Sequence, residues 1–144
     1  MDPNLKREIM LENYSNPYNY ETKTEEEGFI KVNGNIVSCI DDINIYIKIE
    51  NNKIIDAYFD GEACAISTSS SSIMIKNIIG KTILEAEEYI ENFIAMIDEK
   101  EYNEKLLKEA IVYDEIYKQE SRKTCATLPY IALKKAIIKN QKNK

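Results

Sequence analysis

Apolar residues at helical spacing open the chain. Leu5, Ile9, Met10 and Tyr14 predict a first helix over residues 4–14. Asn16-Pro17-Tyr18-Asn19 ends it, because proline disfavours helical backbone in the residue before it and donates no backbone hydrogen bond. Glu21 to Gly28 is acidic and reads as an exposed loop. Strand signals follow. Phe29, Ile30 and Val32 lead to Asn33-Gly34-Asn35, and Ile36 and Val37 run on to Cys39. Asn-Gly is the strongest short hairpin signal, so the stretch reads as a small hairpin, with a bulged single strand as the competing reading. Ile43, Ile45, Ile47 and Ile49 alternate with Asn44, Tyr46, Lys48 and Glu50, the pattern of a strand with one buried face. Asn51-Asn52-Lys53 predicts a turn, and Ile55, Ala57 and Phe59 a partner strand that ends at Asp60-Gly61-Glu62.

From Cys64 the period changes from two to about 3.6. Ala65 to Ile79 predicts a helix, with Gly80 as its left-handed terminator. Its early part, Ser67-Thr68-Ser69-Ser70-Ser71-Ser72, has the composition of a flexible linker, but Ile73-Met74-Ile75 follows at once. The favoured reading is a helix with small early turns that let neighbouring backbone approach. Thr82 and Glu85 match a capping box, and Leu84, Ala86, Ile90, Phe93, Ile94 and Ile97 supply the buried stripe of the next helix. Leu106, Leu107, Ala110, Ile111, Tyr113 and Tyr117 suggest another. Thr127 can cap a last helix with Pro129 in its first turn and Ile131, Leu133, Ala136, Ile137 and Ile138 inside. Strands followed by helices indicate an α+β fold: a small antiparallel three-stranded sheet with helices packed on one face. No repeat or long linker divides the 144 residues, so residues 1–144 are expected to form one domain.

Composition narrows the function more than the fold. The chain has no histidine, which removes Ser-His and Cys-His nucleophile pairs, HExxH metalloproteases and Cys2His2 fingers. A formal charge of −6 argues against binding nucleic acid through its phosphates. No apolar run approaches the ~18 residues of a membrane-spanning helix, and the polar stretch Met1 to Ile9 does not read as a secretory signal. A cytoplasmic location is expected, where cysteines more often serve metals or chemistry than disulfides.

Three cysteines remain. Cys39 closes a strand, Cys64 opens a helix, and Cys125 precedes the capped final helix, so two of them are expected at helix N-termini, which accept negative charge. Asp41 lies two residues after the first. Three thiolates and a carboxylate would make a four-coordinate site of the kind zinc prefers. The spacing alone matches no local metal signature, and buried free cysteines acting as small hydrophobes are the competing reading.

The surrounding residues carry a resemblance. Phe59-Asp60-Gly61-Glu62-Ala63-Cys64-Ala65-Ile66-Ser67, with small residues and Met74 beyond, resembles the central motif of the U-type iron–sulfur assembly family, which includes SufU, IscU and the N-terminal domain of NifU. Cys125-Ala126-Thr127-Leu128 with Ala132-Leu133 resembles its third-cysteine motif, and Asn16-Pro17-Tyr18-Asn19 its Asn-Pro-Arg-Asn element. The resemblance spans about residues 5 to 138. Thr124 stands where IscU-type chains have histidine. A segment around Leu106–Tyr117 precedes the third cysteine and Arg122 lies three residues before it, as in SufU-type chains.

The resemblance implies a SufE/NifU-like fold with a metal site at one end, and zinc held by Cys39, Asp41, Cys64 and Cys125. It implies a zinc-dependent sulfurtransferase that takes persulfide sulfur from a SufS-like cysteine desulfurase and relays it to downstream iron–sulfur assembly proteins. Cys39 is then the acceptor, and Arg122 stabilises a released thiolate or pairs with Asp41. The alternative is a scaffold on which the same ligands hold iron or a [2Fe–2S] cluster; a purely structural zinc module is a third reading. Two departures from the family pattern bear on the loop geometry and the partner. Ile40 follows Cys39 where the family has glycine, and Tyr18 replaces the arginine of the N-terminal element.

Overall fold

Asn51 and Asn52 set the sheet. Both take left-handed backbone, with φ of 52° and 60°. That makes a two-residue turn whose twist suits a hairpin. The turn joins two long strands, which in chain order are β2 (Asp42–Glu50) and β3 (Lys53–Glu62). The first strand, β1 (Ile30–Asn35), pairs with the other side of β2, giving an antiparallel sheet of order β1-β2-β3. The computed structural model describes residues 1–35 and 40–142.

The hairpin reading of Asn33-Gly34-Asn35 is corrected. Asn33 pairs with Asn44, Gly34 with Ile43 and Asn35 with Asp42 in unbroken register, so these residues continue the strand. Pairing along β2 overrides the local turn preference. Ile36 to Cys39 lies outside the described residues. A second difference sits at the other end of the sheet, where the register of β2 against β3 shifts by one after Lys48 and sets Ile49 opposite Ile54. The bulge moves Ile54 onto the buried face and turns Ile55 outward, although alternation alone places Ile55 with Ala57 and Phe59.

The buried face carries Ile43, Ile45 and Ile47 of β2 with Ala57 and Phe59 of β3. Burying each isoleucine contributes about 1.5–3 kcal/mol. Two helices cover this face, α2 (Ala65–Ile78) against β3 and α5 (Glu120–Lys142) against β1 and β2. α1 (Pro3–Ser15) packs on α2, and α3 (Ile83–Ile97) on α5. The outer edge of β3 is not left open. The backbone N–H of Glu21 donates to the Phe59 carbonyl at 2.9 Å, and that of Phe59 to the Asn19 carbonyl at 3.1 Å. Asn19, at φ 51°, also donates its side-chain amide to the Ala57 carbonyl at 2.9 Å, so the Asn-Pro-Tyr-Asn element pins the chain along the sheet edge. The acidic loop that follows is exposed as expected, with Lys23 paired to Glu21 and Glu27.

The serine run is helical, and it is buried. Ser67, Ser69, Ser70, Ser71 and Ser72 are all inaccessible, which excludes the linker reading. Each of these hydroxyls has a partner: Ser69 shares a hydrogen with the Tyr113 hydroxyl at 2.5 Å, and Ser72 donates to Asn13 Oδ1 at 2.8 Å. Small side chains here let α1 and α5 approach α2 closely. α3 starts with the expected capping box, the Glu85 N–H donating to Thr82 Oγ1 at 3.1 Å and the Thr82 N–H to Glu85 Oε1 at 2.9 Å. Leu84, which spacing assigns to the buried stripe, is exposed instead, as are Ile131 and Ile138 on α5.

The helix expected over Leu106–Tyr117 is broken into a single turn, α4 (Glu104–Leu107), and 3₁₀ segments at Lys108–Tyr113 and Ile116–Lys118. Lys108 at φ 48° interrupts the α geometry. The core-facing residues Leu107, Ala110, Tyr113 and Ile116 recur every third position and are all buried, which is the period of a 3₁₀ helix. Among the described residues no helix is long and apolar enough to cross a membrane.

Candidate metal centre

The site is built where β2 begins and β3 ends. Gly61 pairs with Ile43 at φ +112°, so close to β2 that a Cβ would stand 2.2 Å from the Asp42 carbonyl oxygen. That approach brings Asp41, just before β2, against Cys64, just after β3. Asp41 is only 1% exposed. Its Oδ1 accepts the Cys64 backbone N–H at 2.6 Å, and its Oδ2 accepts the Ser67 hydroxyl at 2.6 Å and the Cys64 thiol at 3.3 Å. Cys64 is the N-cap of α2, its sulfur accepting the Ser67 backbone N–H at 3.4 Å.

Cys125 arrives from α5, and its position differs from expectation. α5 begins at Glu120, so Cys125 lies inside the helix and not at its N-terminus. Thr127 and Pro129 resemble a helix start but sit in the interior. Proline has no N–H to give the carbonyl four residues back, which is that of Cys125. The Ser67 hydroxyl stands 3.0 Å from this carbonyl oxygen and 2.6 Å from Asp41 Oδ2, so its one hydrogen is shared between them, while Ser70 donates to the next carbonyl, that of Ala126, at 2.6 Å. Ser67 thus stands beside the one carbonyl that Pro129 frees, and Ser70 adds a bond to its neighbour.

One ligand atom each from Asp41, Cys64 and Cys125 lies within 4.8 Å of the others. Burial pushes the Asp41 carboxyl up, but hydrogen bonds from Ser67 and from the amide and thiol of Cys64 outweigh it and hold the group below the usual carboxylate range. Burial and the facing Asp41 and Cys64 push the Cys125 thiol up to about 12. Without a cation the cluster therefore resists a further negative charge. Two sulfurs and a carboxylate oxygen converging on one point, with charge they cannot all carry alone, make a donor set that fits a zinc-type cation.

Of the residues singled out by sequence, Asp41, Cys64 and Cys125 come together. Cys39 lies outside the described residues. Arg122 occupies the first turn of α5, one turn before Cys125, and is exposed. It lines a groove of about 480 Å³ with Lys6, Arg7 and Tyr14 of α1. Among the described residues no ion pair joins Arg122 to Asp41, whose oxygens are engaged by Cys64 and Ser67. Ile40 is 76% exposed beside the site. Sequence reasoning misses Ser67 as a site residue. A signal for it exists, a hydroxyl three positions after a cysteine at a helix N-cap, but within a serine run small size is the more conspicuous property.

Comparison with known proteins gives the family. The family model of the NifU-like N-terminal domain matches residues 5–144. The zinc-dependent sulfurtransferase SufU of Bacillus subtilis is 33% identical over 138 residues, 95% of this chain and 92% of that protein. The iron–sulfur cluster assembly scaffold protein IscU of Thermotoga maritima is 32% identical over 126 residues, 88% of each chain. Among solved structures, the SUF-system scaffold protein SufU of Fervidobacterium islandicum superposes with a TM-score of 0.84 at 33% identity, covering 90% of this chain and 94% of that one. The N-terminal NifU-like protein of Brucella abortus, at 19% identity and a TM-score of 0.84, shares the fold. The chain belongs to the NifU-like N-terminal domain family, that of the IscU and SufU iron–sulfur cluster assembly proteins.

Proposed function

We propose that this chain accepts persulfide sulfur from a cysteine desulfurase at a zinc site of Cys39, Asp41, Cys64 and Cys125, and relays it to downstream iron–sulfur assembly proteins in a reducing, cytoplasmic compartment. The observation that carries this reading is the convergence of Asp41, Cys64 and Cys125 from three separate parts of the fold, with ligand atoms within 4.8 Å. Cys39, two residues before Asp41 in sequence, completes a Cys3Asp set. Zinc bound there would keep thiols ionised at neutral pH.

The transfer itself is a thiol exchange. The Cys39 thiolate attacks the outer sulfur of the desulfurase persulfide. A new S–S bond forms on Cys39, the desulfurase S–S bond breaks, and the desulfurase cysteine leaves as a thiolate. The proton stays with the transferred sulfur and no oxidant is consumed. Arg122, one turn before Cys125, stabilises the sulfur anion. Cys39→Ser protein, incubated with desulfurase and radiolabelled cysteine, is expected to retain less than about a tenth of the wild-type protein-bound label, because a serine hydroxyl is not ionised and forms no persulfide. Labelling at the wild-type rate would remove Cys39 from the acceptor role.

A second reading, a scaffold that holds a [2Fe–2S] cluster on the same ligands, draws support from the IscU relatives. Thr124 before Cys125, where IscU-type chains have histidine, favours zinc. The scaffold reading predicts a brown protein containing iron and sulfide; the relay reading predicts a colourless one with stoichiometric zinc.

A further inference from the structure

The geometry points to Ser67 as a positioning residue of the metal centre, one that aims Asp41 and ties it to the backbone carrying Cys125. This inference rests on the metal-site reading above. Ser67 is fully buried, and its side chain reaches all three described ligand residues. Its hydroxyl lies 2.6 Å from Asp41 Oδ2, 3.0 Å from the Cys125 carbonyl oxygen and 3.7 Å from the Cys64 sulfur. Among the described residues of the serine run, it alone reaches Asp41. Ser69 pairs with Tyr113, Ser70 with the Ala126 carbonyl, Ser71 with the Ser67 carbonyl and Ser72 with Asn13.

The hydroxyl has one hydrogen and two acceptors beside it. One is the carboxylate oxygen. The other is a helix carbonyl that Pro129 leaves without its usual amide donor. A single donor placed between them serves whichever needs it more, so neither is wholly abandoned as Asp41 adjusts. Losing the hydroxyl leaves the carboxylate tethered at Oδ1 by the Cys64 amide but without the Ser67 donor at Oδ2, which can then swing from the sulfurs, and leaves the carbonyl without a side-chain donor. Residues that orient metal ligands in this manner typically account for about 10–100-fold in affinity.

The test is zinc affinity of the full chain, measured by competition with a chromophoric chelator. Ser67→Ala is expected to bind zinc about 10–100-fold more weakly. Ser70→Ala is the control: an equally buried serine further along α2, bonded to the neighbouring α5 carbonyl and not to Asp41. It is expected to stay within about threefold of wild type, since it orients no ligand. In an Asp41→Ala background, Ser67→Ala should add less than about threefold, because the orienting effect passes through Asp41. The inference is overturned if Ser67→Ala binds within about threefold of wild type, if Ser70→Ala falls as far, or if the loss persists undiminished without Asp41. Should Ser67→Ala fail to fold, Ser67→Thr carries the test: affinity kept within about threefold supports the role of the hydroxyl, and a loss of about tenfold overturns it. A wild-type chain that binds no zinc would overturn the metal-site reading itself and this inference with it.

Discussion

Cys64→Ser protein is expected to fold with wild-type stability in the absence of metal, yet to lose about a hundredfold or more in zinc affinity. The two effects separate because Cys64 has two jobs. As N-cap of α2 its sulfur accepts the Ser67 backbone N–H, and a serine oxygen fills that role at least as well. As the proposed ligand it has no substitute, since a serine hydroxyl does not ionise near neutral pH. Zinc bound by four protein ligands has an apparent binding free energy of about 10–16 kcal/mol, so losing one ligand of four removes about 3 kcal/mol, or two decades of affinity. Cys64→Ala removes the cap as well and is expected to cost the metal-free protein about 1 kcal/mol in urea denaturation. If Cys64→Ser keeps wild-type zinc affinity, the sulfur of Cys64 is not a ligand.

Gly61→Ala is expected to be the most destabilising single substitution near the site, costing about 3 kcal/mol or more. At φ +112° an L-residue is strained by about 1–3 kcal/mol before any contact is counted. The new Cβ would also stand 2.2 Å from the Asp42 carbonyl oxygen and 2.9 Å from the Ile43 Cα, both backbone atoms that cannot rotate aside. Relief requires β2 and β3 to part at the end where Asp41 meets Cys64, so zinc affinity falls along with stability. Gly80 gives the contrast. It has φ +93°, but a Cβ added there would meet nothing within 4 Å, so Gly80→Ala incurs only the conformational cost, about 1 kcal/mol. Urea denaturation of the two metal-free variants checks the difference. Equal losses would mean that the close approach of the strands is not what Gly61 provides.

Local signals in the sequence are reliable where no distant residue intervenes. The Thr82–Glu85 capping box, the Asn51-Asn52 turn and the left-handed Gly80 all depend on chemistry within a few residues, and all three are present. Long-range pairing decides the rest. Asn33-Gly34-Asn35 has hairpin chemistry, yet its partners in β2 keep it extended. Thr127 and Pro129 have the look of a helix start, but Pro129 lies inside α5, where the Ser67 hydroxyl, 58 positions from Cys125, stands 3.0 Å from the carbonyl that the proline frees. The bulge that exchanges Ile54 for Ile55 leaves no mark on the alternation of β3. The 3₁₀ stretch is different, because its signal is in the sequence: residues 107, 110, 113 and 116 spell a period of three, which an α-helix does not keep on one face.

The candidate site is legible for a related reason. Cys64 and Cys125 stand within distinctive motifs, and Asp41 lies two residues from a third cysteine, so side chains that converge from the start of β2, the N-cap of α2 and the body of α5 can each be singled out by their neighbours in sequence. Ser67 escapes because a serine in a serine run has no individual signature; only the distances to Asp41 and the Cys125 carbonyl set it apart from its neighbours.

X-ray absorption at the zinc edge of the metal-loaded protein tests the ligand set most directly, because it counts sulfur and oxygen neighbours of the ion itself. One zinc per chain is expected, with three sulfurs at about 2.3 Å and one oxygen at about 2.0–2.2 Å. A shell dominated by oxygen, or one holding fewer than three sulfurs, would contradict the Cys39, Asp41, Cys64 and Cys125 assignment.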